Sequence, residues 1–158
     1  MSLDAHQQRA VDDAIARNLP LDGALMPLLH AVQDSLGFIP LEAVPPIAAA
    51  LNLSVADVHG VVSFYHDFRT SPPGRHTLKM CRAEACKSVG ADHLVDQARR
   101  VCGVDLGGTS KDNAVTLEAA YCLGLCASGP AALVDGRPVA RLTPARVDAL
   151  LTRMMEGG

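Results

Sequence analysis

The sequence predicts an α/β protein in two parts, a helical bundle over residues 1–75 and a small sheet with packed helices over 76–158. Three observations carry this reading. Apolar residues in the first half recur at helical spacing. The segment "TSPPGRH", Thr70 to His76, then breaks any element with two prolines and a glycine. After it, short strand-like runs alternate with helical pattern, and two of them flank an Asp-Gly turn. The chain has 158 residues, 49% of them apolar, which suffices for one ordinary domain or two small ones.

Taken in order, Asp4 to Asn18 reads as a polar helix. From Leu25, the residues Leu28, Leu29, Val32 and Leu36 line one helical face, and Gly37 supplies a stop. Val44, Ile47, Ala48 and Leu51 repeat the pattern, with Pro45 and Pro46 near the start, where proline is tolerated. Ser54 and Asp57 form a capping box that opens a helix through "VADVHGVVSF". In the second half, "HTLKM" reads as a strand ending at Cys81. Leu94, Val95, Ala98, Val101 and Cys102 share a helical face that Gly103 stops. "AVTLEAAY" is a strand ending just before Cys122. "AALVDG" and "RPVARL" form a hairpin turning at Asp135-Gly136. Thr143 as cap and Pro144 at the first helical position open a last helix, with Val147, Leu150, Leu151 and Met154 on one face. This order suits a small sheet with helices packed on it.

Several function classes lose support at once. Net charge is −3 and no basic run reaches five residues, which speaks against nucleic acid or anionic membranes. The start, "MSLDAHQQRA", does not read as a signal peptide, and "AVPPIAAALNLSVA" is too short and too proline-broken to span a bilayer. A cytoplasmic, reducing compartment is therefore expected, where a disulfide framework is out of place. No Gly-x-Gly-x-x-Gly or P-loop pattern is present to hold a nucleotide.

The chemistry is concentrated in cysteine. Four of the five form two pairs, Cys81-x4-Cys86 in "CRAEACKSVG" and Cys122-x3-Cys126 in "YCLGLCASGP". Each pair follows a strand, so the four sulfurs meet at one rim if those strands are neighbours. A structural zinc ion accepts four thiolates at such spacings. A two-iron, two-sulfide cluster uses the same four donors. Arg82 and Lys87 flank the first pair and Gly124 lies inside the second. Cations and closely approaching backbone amides offset cluster charge, which tilts the choice toward iron–sulfur, while ordinary surface charge accounts for each cation singly. Residues 1–75 carry 4 basic and 8 acidic side chains and residues 76–158 carry 10 and 9, so the paired cysteines lie in the more positive half. Cys102, on an apolar helical face, reads as a small buried hydrophobe. His59, His66 and His76, near Asp57 and Asp67, match no common metal site and read as solvated or core histidines. Phe64, Tyr65 and Phe68 are three of only five aromatic residues. Closing the local core is their first expectation and partner contact the second.

At these residues the chain resembles the thioredoxin-like 2Fe–2S ferredoxin family. The resemblance runs from about Leu25 to Leu151 and includes "LLHAVQDSLGFIP", "VHGVVSFYHDF", both cysteine pairs and "CLGLCASGPAALVDG". Within that family, "MCRAEACKSVG", "FYHDFR" and "VTLEAAYCLGLCASGPA" are most similar to the gamma subunits of soluble NAD-dependent, molybdenum-containing formate dehydrogenases. Related subunits serve NADH:quinone oxidoreductases and NAD-linked hydrogenases. The resemblance implies an N-terminal helical bundle followed by a thioredoxin-like 2Fe–2S ferredoxin domain. It implies that Cys81, Cys86, Cys122 and Cys126 hold one 2Fe–2S cluster, and it gives Cys102 no role. It further implies a non-catalytic electron-transfer subunit beside a flavoprotein that carries FMN and binds NAD(H). Through that flavoprotein it would serve a subunit holding a molybdenum cofactor. The rival outside this class is a zinc-stapled interaction module. Pro130, just before a strand, is compatible with the cis-proline of thioredoxin-like folds or with an ordinary trans turn.

Overall fold

A computed structural model describes residues 2–157. They fall into two compact units that divide between Pro72 and Pro73.

The first unit is helical. Helix α1 (Ala5–Asn18) is opened by Asp4, whose carboxylate accepts from the backbone N–H of His6 and Gln7, with Gln7 reaching back to the Asp4 N–H. Helix α2 (Leu25–Leu36) ends at Gly37, whose φ of 81° is the left-handed conformation glycine adopts without steric cost. Helix α3 (Val44–Leu51) carries its two prolines in the first turn, where no intrahelical N–H is lost. Helix α4 (Val55–Phe64) starts at the Ser54–Asp57 capping box. Hydrogen bonds from Ser54 hold the Asp57 carboxyl below its usual range. Val11, Ala14, Leu28, Leu29, Val32, Ile39, Ile47, Val58 and Val62 close a single apolar core.

The second unit is a four-stranded mixed sheet in the order β2-β1-β3-β4. Strand β1 (His76–Cys81) runs parallel to β2 (Val115–Ala120), in register from His76 opposite Val115 to Cys81 opposite Ala120. Between them lie a one-turn helix, α5 (Glu84–Ser88), and the longer α6 (Ala91–Cys102). Strand β3 (Ala132–Val134) pairs antiparallel with β1, and β4 (Arg137–Val139) pairs antiparallel with β3. Their connection has φ of 49° at Asp135 and 76° at Gly136, the positive pair a tight two-residue hairpin requires. Helix α7 (Pro144–Glu156) begins at the Thr143 cap.

Alternation along the strands sends Leu78, Met80, Val115 and Leu117 to one face. There they pack with Leu94, Val95, Ala98 and Cys102 of α6 and Val147, Leu151 and Met154 of α7. Cys102 is thus a core residue; burial, with the Asp112 charge, pushes its thiol pKa up. Val101, expected on the same face, is instead 43% exposed, because the buried arc of α6 closes on Ala98 and Cys102. Among the described residues no helix is long and apolar enough to cross a membrane.

Candidate metal centre

The parallel pairing of β1 with β2 sets the two cysteine loops side by side. Cys81 is the last residue of β1. Its N–H donates to the Ala131 carbonyl at 3.0 Å, and the next N–H, of Arg82, donates to Ala120 at the end of β2 at 2.7 Å. Ala83 is extended and opens α5, whose single turn turns Cys86 inward. Cys81 and Cys86 are 3% and 2% exposed. This turn is too short to leave a helical period in the sequence, and Glu84 in its first turn is the one residue there that favours a helix start.

The second loop stays irregular. Cys122 lies two residues beyond β2 with φ of 93°, and Gly124 follows with φ of 74°. The Gly124 N–H donates to the Cys122 sulfur at 3.5 Å. A short 3-10 turn begins at Cys126, and the Gly129–Pro130 peptide bond is cis. Both Cys122 and Cys126 are exposed, with their sulfurs 3.7 Å apart.

The pKa values of Cys81, Cys86 and Cys126 are shifted by their neighbours. Burial raises the Cys81 pKa, but it is outweighed by N–H donors from Ala83, Cys122 and Leu123 and by the Cys86 thiol, leaving Cys81 lowered. Two of those N–H groups belong to the second loop, so its backbone reaches the first loop's sulfur. Burial, the Cys81 thiol and the charges of Cys81 and Cys126 push Cys86 up. Cys126 is pushed up by its hydrogen bond to Cys122 and that sulfur's charge, then by Cys81. Gly129 backs the first pair: a Cβ there would stand 3.3 Å from the Cys86 sulfur and 3.4 Å from Val89.

This donor set suits a two-metal cluster. Thiolates about 2.3 Å from a tetrahedral metal lie about 3.8 Å from each other, close to the Cys122–Cys126 separation. The Cys81 and Cys86 thiols shift each other's pKa, so they too are neighbours. Among the described residues, no three or more His, Cys, Asp or Glu side chains are gathered tightly enough for a single ion. Two neighbouring pairs of thiols offer two donors to each of two bridged metals. Backbone N–H groups approach these sulfurs, and Arg82, one of the two cations expected beside the first pair, is itself paired with Asp92 at 3.4 Å.

Other candidates lie apart. His59 and His66 are exposed, and His76 Nδ1 bonds the Asp135 carboxylate at 2.8 Å. Phe68 is buried in the helical core against the His30 ring. Phe64 and Tyr65 are 72% and 45% exposed, contrary to the expectation that all three aromatics close the core. The buried face of α4 is Val58 and Val62; Phe64 lies two residues past it, on the far side of the helix, and Tyr65 is outside the last turn.

Comparison with known proteins agrees with this geometry. The chain is 31% identical over 130 residues to the NADP-reducing hydrogenase subunit HndA of Solidesulfovibrio fructosivorans, covering 82% of this chain and 76% of that protein. It is 34% identical over 135 residues to NADH-quinone oxidoreductase subunit 2 of Thermus thermophilus, covering 85% and 75%. Among solved structures, an NAD+-reducing [NiFe]-hydrogenase in the H2-reduced state superposes with a TM-score of 0.71 at 27% identity. That match covers 84% of this chain but only 22% of the hydrogenase chain. The pattern of one family spans residues 11–155, and on that match the chain belongs to the thioredoxin-like [2Fe-2S] ferredoxin family.

Proposed function

We propose that Cys81, Cys86, Cys122 and Cys126 hold one 2Fe–2S cluster and that the chain is a one-electron subunit of an NAD-linked oxidoreductase. The observation that carries this is the meeting of two sulfur pairs at the ends of two parallel neighbouring strands. When bound, the cluster accepts and returns a single electron. The chain's own residues do the rest. Cys81 and Cys86 bury one side of the site, the N–H groups of Ala83, Cys122, Leu123 and Gly124 offset negative charge on sulfur, and the exposed second loop admits a partner. The purified chain is expected to hold two iron and two acid-labile sulfide per molecule, with visible bands that dithionite bleaches. A colourless chain holding one zinc would overturn the reading.

The partner in this reading is a flavoprotein that carries FMN and binds NAD(H). The complex is an NAD-dependent, molybdenum-containing formate dehydrogenase, a choice supported by the wording around both cysteine pairs and "FYHDFR". The relatives named above belong to hydrogenase and quinone-reducing complexes, so substrate decides the matter. The complex isolated through this subunit should reduce NAD+ with formate. Reduction by hydrogen, or NADH oxidation by quinone without formate activity, would assign it to one of the other two classes. Within it, residues 1–75 form the docking part, supported by the exposed edge-to-face pair Phe64 and Tyr65, with ring centres 5.2 Å apart. Replacing both with aspartate should leave the cluster intact and abolish co-purification of the flavoprotein; retained co-purification would refute the docking role.

A further inference from the structure

We propose that Cys122 and Cys126 are an oxidation site in the cluster-free chain: they form a disulfide by exchange with a small-molecule disulfide such as oxidised glutathione, and the bridge bars cluster loading until it is reduced. This rests on the assignment of the four cysteines as ligands.

The two loops present their sulfurs very differently. All five cysteines are free thiols. Cys81, Cys86 and Cys102 are 3%, 2% and 6% exposed, beyond the reach of a tripeptide disulfide, whereas Cys122 and Cys126 are exposed. Cys86 further stands against Gly129. The Cys122 and Cys126 sulfurs, 3.7 Å apart, must approach by about 1.7 Å to reach bonding distance. They sit on an irregular stretch around Gly124, which has open space beside it, so side-chain rotation and a small loop adjustment suffice.

The chemistry balances without further reagents. The thiolate of one cysteine attacks a sulfur of oxidised glutathione; that S–S bond breaks, a mixed disulfide forms and one glutathione departs. The second cysteine attacks the protein-side sulfur, the Cys122–Cys126 bond forms and the second glutathione departs. Two protein thiols are oxidised, one glutathione disulfide is reduced to two thiols, and the two protons end on the departing glutathiones. The second step is intramolecular between neighbouring sulfurs, so it outpaces capture of another glutathione. The product withdraws two of the four donors, which makes loading dependent on thiol redox state.

The sequence makes the test direct. Trypsin places Cys81 in residues 80–82, Cys86 in 83–87, Cys102 in 101–111, and Cys122 with Cys126 in 112–141. The full-length chain, stripped of its cluster and reduced, is treated with oxidised glutathione, alkylated and digested. The 112–141 peptide is expected two hydrogens lighter and unalkylated, with the other three peptides fully alkylated. A glutathione adduct persisting on 112–141, or a bridge joining 80–82 to 83–87, would overturn the proposal. In the second arm, the treated chain is offered ferrous iron and sulfide. Its visible bands should stay absent until dithiothreitol is added, and Cys102→Ala should behave identically. Loading without reductant would overturn the gate. A reduced, fully alkylatable chain that still takes up no cluster would instead sink the ligand assignment, while the bridge itself is scored by mass alone.

Discussion

The loop after β1 folds into a helical turn and hides both its sulfurs, while the loop after β2 stays irregular and leaves both of its own at the surface. The cause is where each loop leaves the sheet. Cys81 is still a strand residue, locked between Ala120 and Ala131, so its side chain inherits the burial of the sheet end. Cys122 is already two residues beyond β2 and in a positive-φ conformation, free of that burial. The two loops divide the labour: the first buries its sulfurs, while the second supplies most of the backbone N–H groups and leaves the site open to approach. An electron-exchange site needs both, since a fully buried centre is slow to reach and a fully exposed one is open to solvent attack.

Removing one proposed ligand from each side tests this most severely. Cys86→Ala should abolish the visible chromophore, and an added small thiol should not restore it, because none reaches a position 2% exposed. Cys126→Ala should also lose the chromophore, but 2-mercaptoethanol should restore part of it at the open position; equal rescue of both would dissolve the distinction.

A gentler comparison uses the glycines. Gly129→Leu places side-chain atoms against the Cys86 sulfur, where even a Cβ stands at 3.3 Å. Iron content per chain should fall several-fold. At Gly124 nothing lies within 4 Å of an added Cβ, so Gly124→Ala should leave iron content near normal. Its φ of 74° should still cost about 1 kcal/mol of stability, read by denaturant unfolding.

Smaller still is Cys102→Ala, which removes one buried sulfur from the core shared by α6 and α7. We expect about 1 kcal/mol of destabilisation and unchanged cluster spectra. The smallest effect concerns the turn that leads into β2. The Asp112 carboxylate accepts from Ser110 Oγ and the Ala114 N–H, which lowers its pKa in the folded chain. A lowered folded-state pKa contributes stability above the ordinary carboxylate range near pH 4 and loses it as pH falls through the lowered value. Asp112→Asn should therefore be slightly less stable than the parent at neutral pH, with the gap closing in acid. A gap that widens in acid would contradict the hydrogen-bonded carboxylate.

Much of the local structure was legible because it is decided by short-range chemistry. Gly37 and Gly103 stop helices because the chain turns left-handed there, and Asp135-Gly136 turns the hairpin for the same reason. Ser54 with Asp57 marks a helix start through hydrogen bonds three residues apart. The helix at Glu84–Ser88 was not legible, since five residues cannot display a 3.6-residue period. Nor was the exposure of Phe64, Tyr65 and Val101, because apolarity records a preference for burial and not whether anything arrives to cover the residue.

The sequence by itself determined the donor set, two spaced pairs of cysteines each placed just after a strand, because spacing and strand ends are local properties. Tertiary contacts alone make β1 and β2 parallel neighbours, so that Cys86 and Cys122, 36 positions apart, come to the same rim. They also decide that one pair is buried and the other open. Both outcomes depend on contacts between segments distant in the chain, and no window of adjacent residues records those.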